Sequence, residues 1–385
     1  MKYITIILSF LIICSNTFAQ AVGIGTTTPS PSAKLEINST NSGLLLPRMT
    51  TMQRDGISTP AAGLLIFNTS TDALEMWNSN SWISFSSQGI FNNGLPVGAT
   101  CNATWTQKAD FGGVVRRGAV GFTIGTKGYI GTGYDGTYKK DFWEFDPITN
   151  NWTQKADFGG VARSGAVGFS IGGKGYIGTG SDGTNKLDIW EYDPTTNSWL
   201  QRADFPGTAR SGAVSFVVGT KGYIGSGYDG ADKNDFWEFN PSTNSWLQKA
   251  DFTGIARSGA IGFSIGNKGY YGTGQLATTG AFKKDFWEFD PIANSWTPKL
   301  DYAGVSRTGA FGFSLGNKGY IGAGTNGTVR KDFWEYDPLM NTWVQKLDYG
   351  GTARTGAVAL AFGSKAYVGT GNDGTYRKDF WEYCQ

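Results

Sequence analysis

Histidine is absent from all 385 residues. That removes imidazole metal ligands, histidine general bases and most nucleophilic triads. Charge is sparse as well: charged residues make up 17% and the formal net charge is +2, so nothing global points to nucleic acid or an acidic membrane surface. Long apolar runs are missing. The one at the start, Ile6 to Ile13, is too short to span a bilayer, and no later segment is apolar enough to do so. Cysteine is limited to Cys14, Cys101 and Cys384. What is abundant is glycine, with 57 residues, and aromatic side chains, at 15%. Together they suit a β-rich fold with aromatic packing and many tight turns.

Residues 1–19 read as a secretory signal. Lys2 supplies the charged start, Ile6 to Ile13 the apolar stretch, and Thr17-Phe18-Ala19 the cleavage site. Ile13 is bulky where a lipobox wants a small residue, which makes a lipoprotein signal at Cys14 the minor reading. The mature protein is expected to be exported, whether secreted, periplasmic or held at the cell surface by other contacts.

Residues 20–87 form a separate β-rich leader. Lys34 to Ile37 alternates in polarity, and Ala73 to Trp77 with Trp82 to Phe85 reads as a hairpin joined by Asn78 to Ser81. This stretch resembles leader modules of bacterial exported proteins, which are similar to segments of phage tail-fibre proteins. The resemblance implies attachment or oligomerisation and no catalysis. Residues 88–100 are rich in Gly and Asn and read as a linker.

From residue 101 to 385 one unit recurs six times. Its tryptophans stand at Trp105, Trp152, Trp199, Trp246, Trp296 and Trp343, separated by 47, 47, 47, 50 and 47 residues. A second series, Trp143 to Trp381, keeps step with it. Such a period marks a supersecondary unit that buries its apolar face only by stacking on neighbours. In the second copy, Ser164 to Ile171, Lys174 to Gly180, Asp188 to Asp193 and Ser198 to Ala203 give four short strands, with Pro194 opening the last turn. Four antiparallel strands repeated radially are propeller blades. The glycine-rich strand suits the crowded axis, and the tryptophans suit the wider space between blades.

The Arg before a small-residue strand, the glycines after a Tyr-containing strand, the aromatic-Asp-Pro turn and the tryptophan resemble the kelch repeat. The adjacent glycines of that family stand here as Gly-x-Gly, as in Gly131-Thr132-Gly133. The resemblance implies an all-β fold: a six-bladed kelch-type β-propeller preceded by a small β-rich module. It extends to the central domain of galactose oxidase, but a copper site of that kind needs histidines. It also extends to six-bladed sialic acid mutarotases.

Aligned on the second copy, Cys384 matches Asp193, Gln385 matches Pro194 and Cys101 matches Thr195. The N-terminal segment thus resumes where the last copy stops, which predicts a ring closed by an N-terminal fourth strand. It also sets Cys101 and Cys384 two positions apart across one turn. There the Cα spacing of about 5.5–7 Å overlaps the range for a disulfide, and export favours the bond.

Arg116, Arg163, Arg210, Arg257, Arg307 and Arg354 stand before the innermost strands and are expected to ring one mouth of the channel. In kelch proteins that bind peptides, arginines at similar positions line the pocket. Each also has an aspartate six residues upstream, as Asp157 precedes Arg163, with which it can pair. Further aspartates open the third strands (Asp141, Asp188 and their copies). Variation between copies concentrates in the loops between second and third strands, which share that face and offer Tyr134, Tyr138, Tyr228, Asp229 and Tyr376. Their Asp-Gly pairs are turn chemistry, and the spacing does not match a calcium loop. Without histidine no metal or cofactor is expected, and no singular catalytic acid stands out, since Glu144, Glu191, Glu238, Glu288, Glu335 and Glu382 are copies of one another. The favoured function is binding or adhesion toward a glycan or a polar or acidic peptide. A sugar mutarotase or epimerase-like enzyme is the second reading and a structural surface protein the third.

Overall fold

The computed structural model describes residues 22–385 apart from 29, 31, 32, 72, 80, 87–88, 93–94 and 97–102. The expected signal and Cys101 lie outside the described residues. In the leader, β1 (Val22–Ile24) and β2 (Leu35–Ile37) pair in parallel with Val22 opposite Leu35. A six-stranded sheet follows in chain order: β3 (Arg48–Met49), β4 (Leu65–Asn68), β5 (Ala73–Trp77), β6 (Trp82–Ser86), β7 (Gly89–Asn92) and β8 (Leu95–Pro96). The expected hairpin is present. Trp77 faces Trp82, and the Asn78 carboxamide oxygen accepts from the Ser81 amide at 2.8 Å. Residues 89–92 and 95–96, read from composition as linker, are instead paired strands of this sheet. A glycine- and asparagine-rich composition signals turns but does not prevent edge pairing.

The leader's interior holds a carboxylate. Glu75 is 1% exposed and accepts from Arg54 at 2.8 Å, Asn68 at 3.1 Å, Ser84 at 3.1 Å and Thr71 at 3.2 Å. A buried charge persists only when paired and hydrogen-bonded in this way. The short helix α1 (Thr51–Asp55) delivers Arg54, and its start is fixed by a capping box between Thr50 and Gln53. Outside this network, Val22, Ile24, Leu35, Leu44, Leu45 and Met52 are exposed in the single chain.

From β9 (Thr104–Lys108) onward every described element is a strand. Six of the sheets are four-stranded and antiparallel. The first comprises β10 (Val120–Ile124), β11 (Lys127–Gly131), β12 (Phe142–Asp146) and β13 (Asn151–Lys155). The last joins Val358–Phe362, Lys365–Gly369 and Phe380–Cys384 to β9, with Cys384 opposite Thr104 and Phe380 opposite Lys108. The expected N-terminal fourth strand is therefore in place. The arrangement is that of a β-propeller.

Two features explain the packing of one sheet on the next. A side chain at Gly175 would meet Phe122 of the preceding sheet at 2.1 Å, so the inner strands approach to contact distance only without one. Farther out, Trp199 fills the wedge between sheets, edge-on to Phe142 at 5.0 Å and to Phe158 at 5.2 Å. The middle residue of each Gly-x-Gly, Thr132 among them (φ 61°), lies in the left-handed region. A β-branched residue is strained there, which accounts for the glycine usual in kelch repeats.

An asparagine clamp links neighbours. Asn150, Asn197, Asn244, Asn294 and Asn341 all have positive φ. Their side-chain oxygens accept from the backbone amides of Ala109, Ala156, Ala203, Ala250 and Leu300 of the preceding sheet, at 2.9–3.0 Å. At the seam the position is Ala103, also at positive φ (50°), and the clamp is missing. Ala103→Asn is expected to add about 1 kcal/mol, from one hydrogen bond and a residue better suited to that conformation. Urea unfolding checks this, and an unchanged midpoint would contradict it.

Candidate functional site

The six repeated arginines are interior. Each is 0–1% exposed. In the second copy the Arg163 Nε donates to Val161 O at 3.0 Å, one terminal nitrogen to Thr179 O at 2.9 Å and Asp188 at 2.6 Å, and the other to Asp188 at 2.7 Å. The Asp188 carboxylate also accepts from the Trp190 indole at 2.7 Å, and the Phe158 ring lies 5.0 Å from the guanidinium carbon. Burial alone would raise the Asp188 carboxyl; the hydrogen bonds from Arg163 and Trp190 and the Arg163 charge bring it below its ordinary value. Arg116, Arg210, Arg257, Arg307 and Arg354 repeat this with Asp141, Asp235, Asp285, Asp332 and Asp379.

Two expectations are thereby revised. The partner is the aspartate that opens the third strand, not the one six residues upstream: Asp157 lies 3.9 Å from Lys140 instead. The guanidiniums also do not form an open ring at the mouth, because their donors are taken up inside the sheets. A bidentate Asp fork beside a backbone carbonyl is what lets six charges be buried.

The repeated glutamates are committed too. Each accepts from a second-strand tyrosine, from Tyr129–Glu144 at 2.6 Å to Tyr367–Glu382 at 2.6 Å. Burial first, and the neighbouring carboxylate second, raise the Tyr129 hydroxyl pKa. These pairs brace the second and third strands.

The variable loops are tied turns whose tips differ. Asp229, 15% exposed, caps the Ala231 amide at 3.1 Å and pairs with Lys233 at 2.9 Å. Burial opposes ionisation there, but hydrogen bonds from Thr208, Lys233 and Ala231 bring its pKa down to about 2. Asp135–Lys139, Asp182–Lys186 and Asp373–Arg377 are equivalent ion pairs. Tyr228 stands exposed and paired through its backbone with Ser211. The other three tyrosines gather at one place: Tyr134 lies 5.0 Å from Tyr138 and 6.2 Å, edge-on, from Tyr376. This is where the last repeat meets the first.

Beneath these loops, six glycine backbones form a cyclic chain of hydrogen bonds. Gly165 donates to Gly118, Gly212 to Gly165, Gly259 to Gly212, Gly309 to Gly259, Gly356 to Gly309 and Gly118 to Gly356, all at 2.8–3.0 Å. The residue before each glycine adds to a crown at the mouth: Arg117, Ser164, Ser211, Ser258, Thr308 and Thr355. Each side chain stands against the glycine of the preceding repeat, as the Arg117 Cβ does near Gly356. Arg117 is exposed, and the five hydroxyl residues are partly buried. The throat below, a cavity of about 230 Å³, is lined by the innermost strands of all six sheets, with small residues such as Thr123, Ser170, Ser264 and Ser314 alternating with phenylalanines such as Phe122 and Phe169. Arg117 escaped sequence reading because Arg116 drew attention to its own column. The signal was there: one column holds Ser or Thr in five copies and arginine in the other.

Residues 23–100 match the family described as a phage tail like trimerisation region. No curated protein matches this chain. Among solved structures, YjhT, a kelch-type propeller protein, superposes with a TM-score of 0.61 at 18% identity, over 72% of this chain and 95% of its own. At that identity the likeness shows the fold, a β-propeller. The trimerisation match bears on the leader, where it suggests oligomerisation.

Proposed function

We propose that this chain is an exported, trimeric binding protein: the leader trimerises, and a closed six-bladed kelch-type ring presents ligand-binding loops at its channel mouth. The ligand class is a glycan or a polar peptide. One contrast carries the reading. Residues shared by all six copies are satisfied within the scaffold, as Arg163 and Glu191 are, whereas the loops between second and third strands, such as Tyr134 to Tyr138 against Ser181 to Asn185, change their side chains from copy to copy. Scaffold residues recur because every repeat needs them; recognition needs only the places where repeats differ.

Trimerisation is supported by the family match over 23–100 and by the apolar side chains Val22, Ile24, Leu35, Leu44 and Leu45, all exposed in one copy. Exposed apolar clusters of this kind ask for a partner surface. A Cys101–Cys384 disulfide clasps the seam in this reading, since Cys384 faces Thr104, three residues along from Cys101. By chain entropy such a loop gains up to roughly 5 kcal/mol.

Mass measurements on the exported protein test the assembly. Native mass spectrometry is expected to give three times the chain mass, and denaturing spectra a chain two hydrogens lighter before reduction than after. A monomer would remove trimerisation, and two free thiols would remove the clasp. An array of glycans and polar peptides probed with the same protein tests recognition, and no binding at all would refute it.

A further inference from the structure

We propose that the crown at the seam of the first and last repeats binds a carboxylate-bearing saccharide, with Arg117 holding the carboxylate and Tyr134, Tyr138 and Tyr376 receiving the sugar ring. The proposal rests on the reading of the loop face as the ligand face, and narrows it to one site and one chemistry.

The seam is where the molecule departs from its own repeat. Five crown positions carry small hydroxyls; the sixth carries a guanidinium on a long arm. Charges on the neighbouring loops are neutralised within their turns, as Asp135 is by Lys139 at 2.8 Å and Asp373 by Arg377 at 2.8 Å. Arg117 makes no side-chain hydrogen bond or ion pair among the described residues, and it is exposed. The pairing of its buried neighbour is absent here: Arg116 sits in the Asp141 fork at 2.6 and 2.8 Å, while the Arg117 side chain reaches no acceptor among the described residues. A guanidinium left unpaired beside a channel mouth is a natural receptor for a planar anion, which it meets with two parallel hydrogen bonds.

The tyrosines are placed to share that ligand. Arg117 and Tyr134 exchange backbone hydrogen bonds at 3.0 and 2.9 Å, so they are directly opposed and their side chains lie on the same side of the local ribbon. Tyr138 and Tyr376 extend the patch from Tyr134. In other repeats the position of Tyr134 is held by Ser181, Gln275, Thr325 and Asn372, with Tyr228 the one other aromatic, so the triple cluster is not a scaffold requirement. Aromatic faces pack against the apolar face of a sugar while their hydroxyls bond its edge. The crown offers more: Thr308 and Thr355 donate to Gly259 and Gly309 at 3.0 and 3.3 Å, which leaves their oxygens as acceptors for ligand hydroxyls. Within the crown column Arg117 is one cation among five neutral hydroxyls, which suits a monoanion rather than a phosphate of higher charge.

The repeat itself supplies conservative variants. Arg117→Ser and Tyr134→Ser install residues that other copies already carry at the same positions. The probe is an array of glucuronate- and galacturonate-bearing oligosaccharides, their carboxyl-reduced counterparts and acidic peptides, applied to the whole chain. The wild-type protein is expected to bind carboxylated saccharides at least about tenfold more tightly than the reduced forms, a charge-assisted contact of ordinary strength. Arg117→Ser should erase that preference, Tyr134→Ser should weaken both forms, and thermal unfolding should stay within about 1 °C for each, as for other surface changes. Equal binding of carboxylated and reduced sugars, or full retention in Arg117→Ser, overturns this inference while leaving a glycan-binding face intact. Binding to acidic peptides alone overturns the saccharide assignment. Binding to no probe overturns the site and the broader reading together.

Discussion

Asp188→Ala, with Arg163 left in place, is expected to destabilise the protein by about 3–5 kcal/mol, because it strands a buried guanidinium. Arg163 is 0% exposed and loses two hydrogen bonds of 2.6 and 2.7 Å. The same carboxylate releases the Trp190 indole, held at 2.7 Å. The paired change Arg163→Met with Asp188→Leu should recover most of the loss, since a hydrophobic pair of similar volume often replaces a buried ion pair without cost. Urea unfolding of the single and double variants decides the matter, and a loss below about 1 kcal/mol for Asp188→Ala would contradict it. The pairing also sets a pH dependence. The Asp188 pKa is depressed in the folded state, so its contribution is present above the ordinary aspartate value near 4 and is lost as pH falls through the folded value. With six such forks, stability should fall steeply below about pH 4, and the Asp188→Ala variant should show a shallower acid limb.

Trp105→Ala is expected to be as costly, about 3–5 kcal/mol, and to act locally. Trp105 packs against Tyr349 at 5.0 Å, Tyr383 at 5.1 Å and Phe333 at 5.2 Å, and its indole donates to Leu347 O at 3.3 Å. It anchors β9, the one strand of its sheet that arrives from the other end of the chain. The seam has no asparagine clamp, so beyond its ladder to Phe380–Cys384 and the proposed clasp the Trp105 indole is the main side-chain anchor of the strand. Amide exchange should therefore accelerate along Thr104–Lys108 and the facing Phe380–Cys384, while Asn151–Lys155 keeps its protection. Trp199→Ala, the same change inside a contiguous repeat, should instead loosen all strands of its sheet together. Uniform loss of protection in both variants would show that the seam is no weaker than any other junction.

Most of the architecture was legible because the repeat wrote it six times. Period, strand number and the complementary ends predicted four-stranded units and the pairing of β9 with Phe380–Cys384, which the register bears out. The arginines were legible as a column but not as an environment. Nothing in a sequence distinguishes an arginine at a mouth from one folded back into an aspartate fork, because the deciding contact, Arg163 to Asp188, joins residues 25 apart. The nearer aspartate was the more visible partner and the wrong one. The strands at 89–92 and 95–96 were hidden by glycine and asparagine, whose turn preference masked edge pairing. Arg117 was hidden differently, since symmetry drew the eye to what recurs, while the departure from symmetry at the seam is where the crown changes chemistry.

One comparison tests most directly the claim that repeated residues build the ring while the odd residue at its seam recognises the ligand. Arg117→Ser and Asp188→Ala are measured side by side for thermal midpoint and for binding to the carboxylated oligosaccharide array, below both midpoints. The account predicts that Arg117→Ser keeps its midpoint and loses the carboxylate preference, whereas Asp188→Ala loses several degrees and keeps that preference. The opposite pattern, with binding lost in a folded Asp188→Ala protein and kept in Arg117→Ser, would contradict it.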